Sequence, residues 1–221
     1  MQCAIKRIVI CTADDRYSTK GYWTLTDEAN KAYCKKQKYD YIRIDTSSWS
    51  EKKRHPSWLK IQVVKDVALL KKYDIVVWVD SDVIINNHEA RIEDFLGHKS
   101  LSHTIADFIS DGDKSNSPCA GIFFLWAKHP QAIAFLESWN TWEYNGFDVV
   151  ERLFQFYLNK HSKQYEQRIL KCTYWPYKDS IRVIKQPSFY LVHNDQMFFH
   201  CANFIKNREA VLKEVFDRVV K

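Results

Sequence analysis

Apolar and polar residues alternate along the first third of the chain in a pattern that predicts strand, helix, strand, helix and strand. The strands are "RIVICTA" (7–13), "YDYIRID" (39–45) and "DIVVWVD" (74–80), and the segments between them have helical periodicity. Strands that alternate with helices in this way form a parallel sheet with right-handed crossovers. The third strand is wholly apolar, as expected of a central strand that is covered on both faces.

The starts of the two intervening helices are indicated by different residues. Residues 24–38 have Thr26 or Asp27 as candidate N-caps, because both side chains accept hydrogen bonds from a first helical turn. Residues 55–73 begin near Pro56, a residue tolerated at a helix start. The apolar residues of this second helix are expected on one buried face: Trp58, Ile61, Val64, Ala68 and Leu69.

The rest of the chain predicts a short helix at 89–97, strands at 103–110 and 119–126, and a helical block at 129–171. Late β segments follow at "IRVIK" and "QMFFHCA", and a closing helix at "NREAVLKEVFDRVV". We find no internal repeat, low-complexity tract or change of composition. Residues 1–221 are therefore expected to form one α/β domain.

Composition narrows the class of protein. With 46% apolar and 15% aromatic residues, the chain lies outside the disordered range. Its apolar runs reach about ten residues, too short to cross a bilayer, and no signal peptide is visible. Six scattered cysteines without a CxxC pair favour a reducing compartment and no cysteine-based metal site. We expect a cytoplasmic protein without a membrane span, located in the host cytoplasm if the protein is viral.

The net charge of +6 is modest, and the lysines and arginines are dispersed along the chain. A solvated surface explains this distribution better than a nucleic-acid-binding patch. An anionic ligand such as a nucleotide diphosphate fits the charge equally well, so we expect no nucleic-acid partner.

The segment "VVWVDSDVII" (76–85) carries the strongest chemical signal, because Asp80 and Asp82 end an apolar strand. Their spacing of two places both side chains on one side of an extended chain. In open α/β sheets, ligands bind beyond the carboxyl ends of the parallel strands. Two neighbouring carboxylates repel, and Mg²⁺ or Mn²⁺ relieves that repulsion while bridging to substrate phosphates. The alternative is a pair of solvated loop acids that cap the next turn.

Three further features converge on the same strand end. The loop "TADDRY" (12–17) ends the first strand, so Asp14 and Tyr17 can face the same crevice. Lys60 lies on the helix that leads to the third strand, and His200 lies in an apolar late strand. Taken singly, Lys60 reads as a surface lysine and His200 as a core histidine.

Together these motifs resemble a GT-A-fold retaining glycosyltransferase. The order is "W-x-K", about twenty residues, "hydrophobic-DSD-V-hydrophobic", "AGIFFLW" and a late "FFH". The chain is most similar to glycosyltransferase family 34, which contains galactosyl-, xylosyl- and mannosyltransferases, and the similarity is strongest at 56–87. It is also similar in size to the N-terminal glycosyltransferase domain of a multidomain chlorella-virus enzyme, which leaves open whether further domains follow residue 221.

The resemblance implies a metal site and a phosphate site. Asp82 would bind Mn²⁺ directly, Asp80 would contact the donor ribose or a metal-bound water, and His200 would complete the protein ligands. Lys60 would reach the donor diphosphate and support its charge during transfer.

The resemblance also implies a binding site for the uridine and the sugar of the donor. The uracil and ribose would be held by Thr12, Ala13, Asp14 and Tyr17, with Ser81 next to them. Ala120 and Gly121 would line the sugar site, although Gly121 could equally be a strand bulge. The chain departs from the family pattern in having Cys119 where Asn is usual. The acid that positions the donor sugar is not cleanly present either, and Asp148 is the best candidate, ahead of Glu151 and the acids at 111–113.

The implied reaction transfers a sugar from a UDP-sugar to an acceptor hydroxyl of a glycan, with retention of configuration. Two other functions remain open. A haloacid-dehalogenase-like phosphatase would use Asp80 as its nucleophile, but it needs the motif on the first strand. A non-catalytic sugar-binding module would use the tryptophans as stacking surfaces, but it leaves the paired aspartates unexplained.

Overall fold

The computed structural model describes residues 7–48, 56–97, 104–111, 118–141, 175–186, 196–201 and 205–220. The strands are Ile8–Asp14 (β1), Asp40–Asp45 (β2), Ile75–Val79 (β3), Val83–Ile85 (β4), Ala106–Asp111 (β5), Cys119–Trp126 (β6), Ile181–Gln186 (β7) and Phe198–His200 (β8). The α-helices are Tyr22–Gln37 (α1), Leu59–Leu69 (α2), Ile92–Leu96 (α3), Ala132–Thr141 (α4) and Arg208–Val220 (α5). Short 3-10 helices cover Pro56–Trp58 and Trp175–Ser180.

The central sheet has the strand order β2-β1-β3-β6-β5-β7. Strand β1 pairs in parallel with both β2 and β3, and β5 pairs in parallel with β7. Strand β6 runs against both of its neighbours, β3 and β5. The mostly parallel α/β sheet that the sequence predicts is therefore confirmed, with β6 reversed among the strands that the structure describes.

The reversed strand determines what lies at the functional edge of the sheet. Ile122 pairs with Val79, so the first residues of β6 lie beside the chain that leaves β3. Accordingly, the Asp80 N–H donates to the Gly121 carbonyl at 2.8 Å. The end of β3 and the start of β6 thus occupy the same edge, where the parallel strands present their carboxyl ends.

The core consists of apolar layers on the two faces of the sheet. One layer contains the buried side of α2 and α4, including Ile61 and Trp139. The other contains Tyr33 of α1 and Ile92 of α3. Leu69 does not join the predicted apolar face: it is 49% exposed and lies on the same side of α2 as Gln62 and the exposed Asp66.

Helix α1 begins earlier than the sequence predicts, and neither predicted N-cap is used. Gly21 precedes the helix without a side-chain cap. The Thr26 hydroxyl instead contacts the carbonyls of Trp23 and Ser81, at 2.9 and 2.6 Å. Asp27 accepts a hydrogen bond from the Tyr41 hydroxyl. Both side chains therefore form contacts within or beyond the helix, which removes them from the capping role.

A second, two-stranded sheet pairs β4 with β8 in antiparallel orientation and was not predicted. Three residues are too few for a reliable alternation signal, and a turn of only three residues separates β4 from β3. Asn30 supports β4 by donating to the Val83 carbonyl and accepting from the Ile85 N–H. Val83 pairs with His200, so this small sheet brings the late histidine to the aspartate-containing turn. Within the described residues, no helix is long and apolar enough to cross a membrane.

Candidate metal and nucleotide site

Asp80, Ser81 and Asp82 form a tight turn between β3 and β4. The Val83 N–H donates to the Asp80 carbonyl at 3.0 Å, which closes the turn, and the Cys201 N–H donates to the Asp82 carbonyl at 2.9 Å. The buried β3 strand fixes the turn on one side, and β8 fixes it on the other. Both aspartates are thus held at the exit of the strand by backbone contacts.

Asp80, Asp82 and His200 form a group that can hold a metal ion, with their ligand atoms within 4.8 Å of one another. Two ligands at about 2.1 Å from one ion lie at most about 4.2 Å apart, so small side-chain adjustments complete a site. Two carboxylates and one imidazole are oxygen-rich ligands that suit Mn²⁺ or Mg²⁺. The three residues therefore fit a divalent cation.

The imidazole of His200 lies against Asp82, with Nε2 3.3 Å from Oδ1. Burial acts to lower the pKa of His200, but the Asp82 carboxylate outweighs it and raises that pKa to about 10. Burial in turn acts to raise the pKa of Asp82, and His200 and Arg208 hold it below its usual value. The pair is charged at neutral pH in this arrangement, so a metal that binds Nε2 must displace a proton.

Lys60 lies at the base of the site and is only 2% exposed. Its Nζ is 2.8 Å from Asp80 Oδ1 and donates to the Ala120 carbonyl at 3.2 Å. The indole Nε1 of Trp78 donates to the same Asp80 oxygen at 2.7 Å. Trp78 is a core residue, as expected, but its polar atom also orients Asp80, a contact that the sequence did not indicate.

Arg208 is a site residue that the sequence analysis missed. It opens helix α5, and its Nη2 donates to Asp82 Oδ2 at 2.6 Å. Its guanidinium also lies over the Tyr22 ring, 4.4 Å from the ring centre. Each aspartate of the turn thus has a cationic neighbour, Lys60 for Asp80 and Arg208 for Asp82.

Arg16 is a second site residue that the sequence analysis missed, and it forms an ion pair with Asp14. Its Nε and Nη2 donate to the two Asp14 oxygens at 2.7 and 2.5 Å, and its backbone N–H donates at 2.8 Å. The same Nη2 is 3.4 Å from Ser81 Oγ, so Arg16 joins the first-strand loop to the aspartate turn. Burial acts to raise the pKa of Asp14, but Arg16 holds it below its usual value.

A cavity of about 400 Å³ opens at this edge of the sheet. Its walls include six of the twelve sequence-predicted residues, namely Ala13, Asp14, Lys60, Asp80, Ser81 and Asp82, together with Arg16 and Tyr22. Thr12 and Tyr17 do not line this cavity, and their hydroxyl oxygens are 3.3 Å apart. The expected positioning acid Asp148, with Glu151 and Asp113, lies outside the described residues.

Gly121 lies against the candidate metal-binding residues. A Cβ at this position would be 3.1 Å from His200 Cε1, 3.2 Å from Asp80 Oδ2 and 3.4 Å from Cys119 Sγ. Ala120, next to it, is buried beneath Lys60. The pairing of β6 with β5 is irregular between Cys119 and Phe123, so Gly121 lies at a strand irregularity, in line with the bulge that the sequence left open.

Residues 30–146 match the family described as "Protein of unknown function, DUF273". A search of curated proteins finds no match for the chain.

Solved structures reveal a shared fold. A glycosyltransferase involved in glycosylation of the major capsid of PBCV-1 superimposes with a TM-score of 0.66 at 15% identity, over 97% of this chain and 98% of that one. The apo-form glycosyltransferase GlyE of Streptococcus pneumoniae gives a TM-score of 0.50 at 12% identity, over 98% of this chain but only 62% of its own. The GT-A fold predicted from the sequence is therefore confirmed.

Proposed function

The chain belongs to the DUF273 family, and we propose that it is a metal-dependent glycosyltransferase that takes its sugar from a UDP-sugar. One observation carries the proposal: Asp80, Asp82 and His200 converge on one point at the carboxyl edge of a GT-A sheet. The shared fold with the PBCV-1 glycosyltransferase supports this class of reaction. The donor, the ion and the stereochemistry are our inference for this chain.

The charges around the cavity suit a nucleotide diphosphate bound together with a divalent cation. Asp14, Asp80 and Asp82 are balanced by Arg16, Lys60 and Arg208 once the metal ion has displaced the extra proton of His200. The diphosphate of a UDP-sugar carries two negative charges, which one divalent cation offsets. These protein groups therefore accept the donor and the ion together with little net charge left buried.

The protein residues divide the work of donor binding. Asp80, Asp82 and His200 would hold Mn²⁺ or Mg²⁺, which supplies Lewis-acid stabilisation to the leaving diphosphate when bound. Lys60, held rigidly at the cavity base, supports the same developing charge. The first-strand loop, stiffened by the contact between Asp14 and Arg16, holds the uridine.

The transfer breaks the bond between the anomeric carbon and the β-phosphate oxygen, and a bond to the acceptor oxygen replaces it. With retention by attack from the same face, the acceptor proton passes to the departing phosphate oxygen, and UDP is the second product. We assign the positioning of the donor sugar to Asp148.

The two alternative functions fit the structure less well. Both oxygens of Asp80 contact Lys60, one of them also contacts Trp78, and Asp80 follows the third strand rather than the first. This arrangement suits a fixed ligand better than a phosphatase nucleophile. The tryptophans at 58, 78, 126 and 139 are buried and offer no stacking surface for a sugar-binding module. The partly exposed ring of Trp23 is already covered by the Arg16 guanidinium, 4.4 Å from the ring centre.

A thermal-shift screen tests the proposal. UDP-, GDP- and dTDP-sugars are added to the protein with Mn²⁺ or with EDTA. We expect stabilisation by UDP-sugars that requires Mn²⁺ and is lost in Asp82→Ala, with Asp82→Asn as the isosteric control. If no nucleotide changes the unfolding temperature under either condition, the proposal fails.

A further inference from the structure

We propose that Cys119 is a positioning residue for His200. The Cys119 sulfur accepts a hydrogen bond from the Nδ1–H of His200 and so keeps Nε2 turned toward Asp80 and Asp82. The inference rests on the proposed function, because it concerns the same metal site. It assigns a role to a cysteine that the sequence analysis noted only as a departure from a family pattern.

The geometry places Cys119 at the side of the imidazole opposite to the carboxylate. Cys119 Sγ is 3.9 Å from His200 Nδ1, while His200 Nε2 is 3.3 Å from Asp82 Oδ1. The edge of the imidazole between the two nitrogens lies against Gly121, where a Cβ would be 3.1 Å from His200 Cε1. The ring therefore has a partner at each nitrogen and backbone against its edge.

The backbone holds both partners in place. His200 pairs with Val83 in the two-stranded sheet, and Cys119 opens β6 opposite Ile109 of β5. Both residues lie within described strands. The contact between sulfur and imidazole is thus a consequence of how two sheets meet.

The chemistry requires an acceptor at this position. A neutral histidine that offers Nε2 to a metal carries its proton on Nδ1, and ligating histidines almost always donate that proton to a neighbouring group. Loss of such a partner typically costs about 10–100-fold in metal affinity. Sulfur is a weak acceptor, so we expect the effect of Cys119 to lie near the lower limit.

The test compares metal affinity in four proteins by calorimetric titration with Mn²⁺ without nucleotide: wild type, Cys119→Ala, Cys119→Ser and Cys34→Ala. Cys34 is a matched control, since it is buried on α1 away from the site. We expect the dissociation constant to rise about tenfold in Cys119→Ala. Cys119→Ser, which keeps an acceptor, should remain within about threefold of wild type, and Cys34→Ala should match wild type.

A spectroscopic measurement separates positioning from packing. In the Mg²⁺-bound wild-type protein, the Nδ1 proton of His200 should give a downfield proton resonance, because its exchange with water is slowed by the sulfur. The resonance should persist in Cys119→Ser and be lost in Cys119→Ala. Wild-type Mn²⁺ affinity in Cys119→Ala, or an unchanged resonance, would overturn the inference while leaving the proposed function intact. Failure of the wild-type protein itself to bind Mn²⁺ would refute both.

Discussion

The most informative single substitution is Gly121→Ala, because it should separate metal binding from folding. The added methyl group would lie 3.1 Å from His200 Cε1 and 3.2 Å from Asp80 Oδ2, whereas ordinary contacts begin near 3.4 Å. Both ligands must therefore move by a few tenths of an ångström. Metal sites tolerate deviations of about 0.2 Å in ligand distance, so the shift exceeds what the site can absorb.

The same substitution should leave the fold almost unchanged. Gly121 lies within β6, and its φ is not among the positive values that favour glycine. Alanine at such a position restricts the unfolded chain and adds about 0.4–1 kcal/mol of stability, which offsets the local crowding. We expect the metal-free unfolding temperature to stay within about 3 °C of wild type, since 1 kcal/mol corresponds to about 2–4 °C at this size.

The assay is calorimetric titration with Mn²⁺, together with thermal unfolding in EDTA. For Gly121→Ala we expect at least a tenfold loss of affinity, which equals about 1.4 kcal/mol. Gly97→Ala is the matched control: no atom lies within 4 Å of its Cβ position, but its φ is +74°. It should lose about 1–3 kcal/mol of stability, because its φ of 74° and ψ of 163° lie in a region that essentially only glycine adopts, and it should keep its metal affinity. Wild-type Mn²⁺ affinity in Gly121→Ala would refute the assignment of Asp80 and His200 as metal ligands.

Three more outcomes follow from the charges and burial. Lys60→Met should lower metal-free stability by about 2–3 kcal/mol. Breaking a fully buried pair costs about 3–5 kcal/mol, but Asp80 is 30% exposed. The Mn²⁺-induced thermal shift of this variant should exceed that of wild type, and an equal shift would contradict the pairing of Lys60 with Asp80. Because the pKa of Asp14 is lowered, its ionised form stabilises the protein above about pH 4, and this contribution is lost as the pH falls through the lowered pKa. Asp14→Asn should therefore be less stable than wild type in urea unfolding at pH 6, and the difference should shrink as the pH falls below about 4. Burial raises the pKa of Cys11 to about 12. Iodoacetamide at pH 8 should therefore label the partly exposed Cys119 well before Cys11, which peptide mass spectrometry measures. Equal labelling rates would contradict the burial of Cys11.

The sequence predicted the parts of the fold that repeat a local pattern. The alternation of strands and helices up to Asp80 indicated the parallel half of the sheet, and the wholly apolar β3 indicated its central position. From that winding, the loop after β1 was expected beside the aspartates, and the structure places Asp14 there. The order of the motifs, through the resemblance to glycosyltransferases, indicated Lys60 and His200 as site residues.

The contacts that were missed join segments far apart in the chain. Arg208 and Asp82 are separated by 126 residues, and a single arginine at a helix start carries no periodic signal. The pairing of β4 with β8 was equally hidden, because each strand has only three residues. Arg16 could have been found, since it lies two residues after Asp14, a spacing at which a side chain readily reaches its neighbour.

The wrong predictions have two physical causes. Thr26 and Asp27 have the chemistry of helix caps, but their side chains are committed to Ser81 and Tyr41 in neighbouring elements, so tertiary contacts outweighed a local preference. Leu69 was assigned to the wrong face of α2, because it follows the exposed Asp66 by three residues and lies on the solvent side.

The central claim is that the aspartate–histidine group binds a divalent cation together with a nucleoside diphosphate. Calorimetric titration of the wild-type protein with UDP, in Mn²⁺ and in EDTA, tests this most directly. We predict binding that is at least about 100-fold tighter in Mn²⁺, equal to about 2.7 kcal/mol, with this difference removed in Asp82→Asn. Equal affinity for UDP in Mn²⁺ and in EDTA, or no binding in either, would contradict the account.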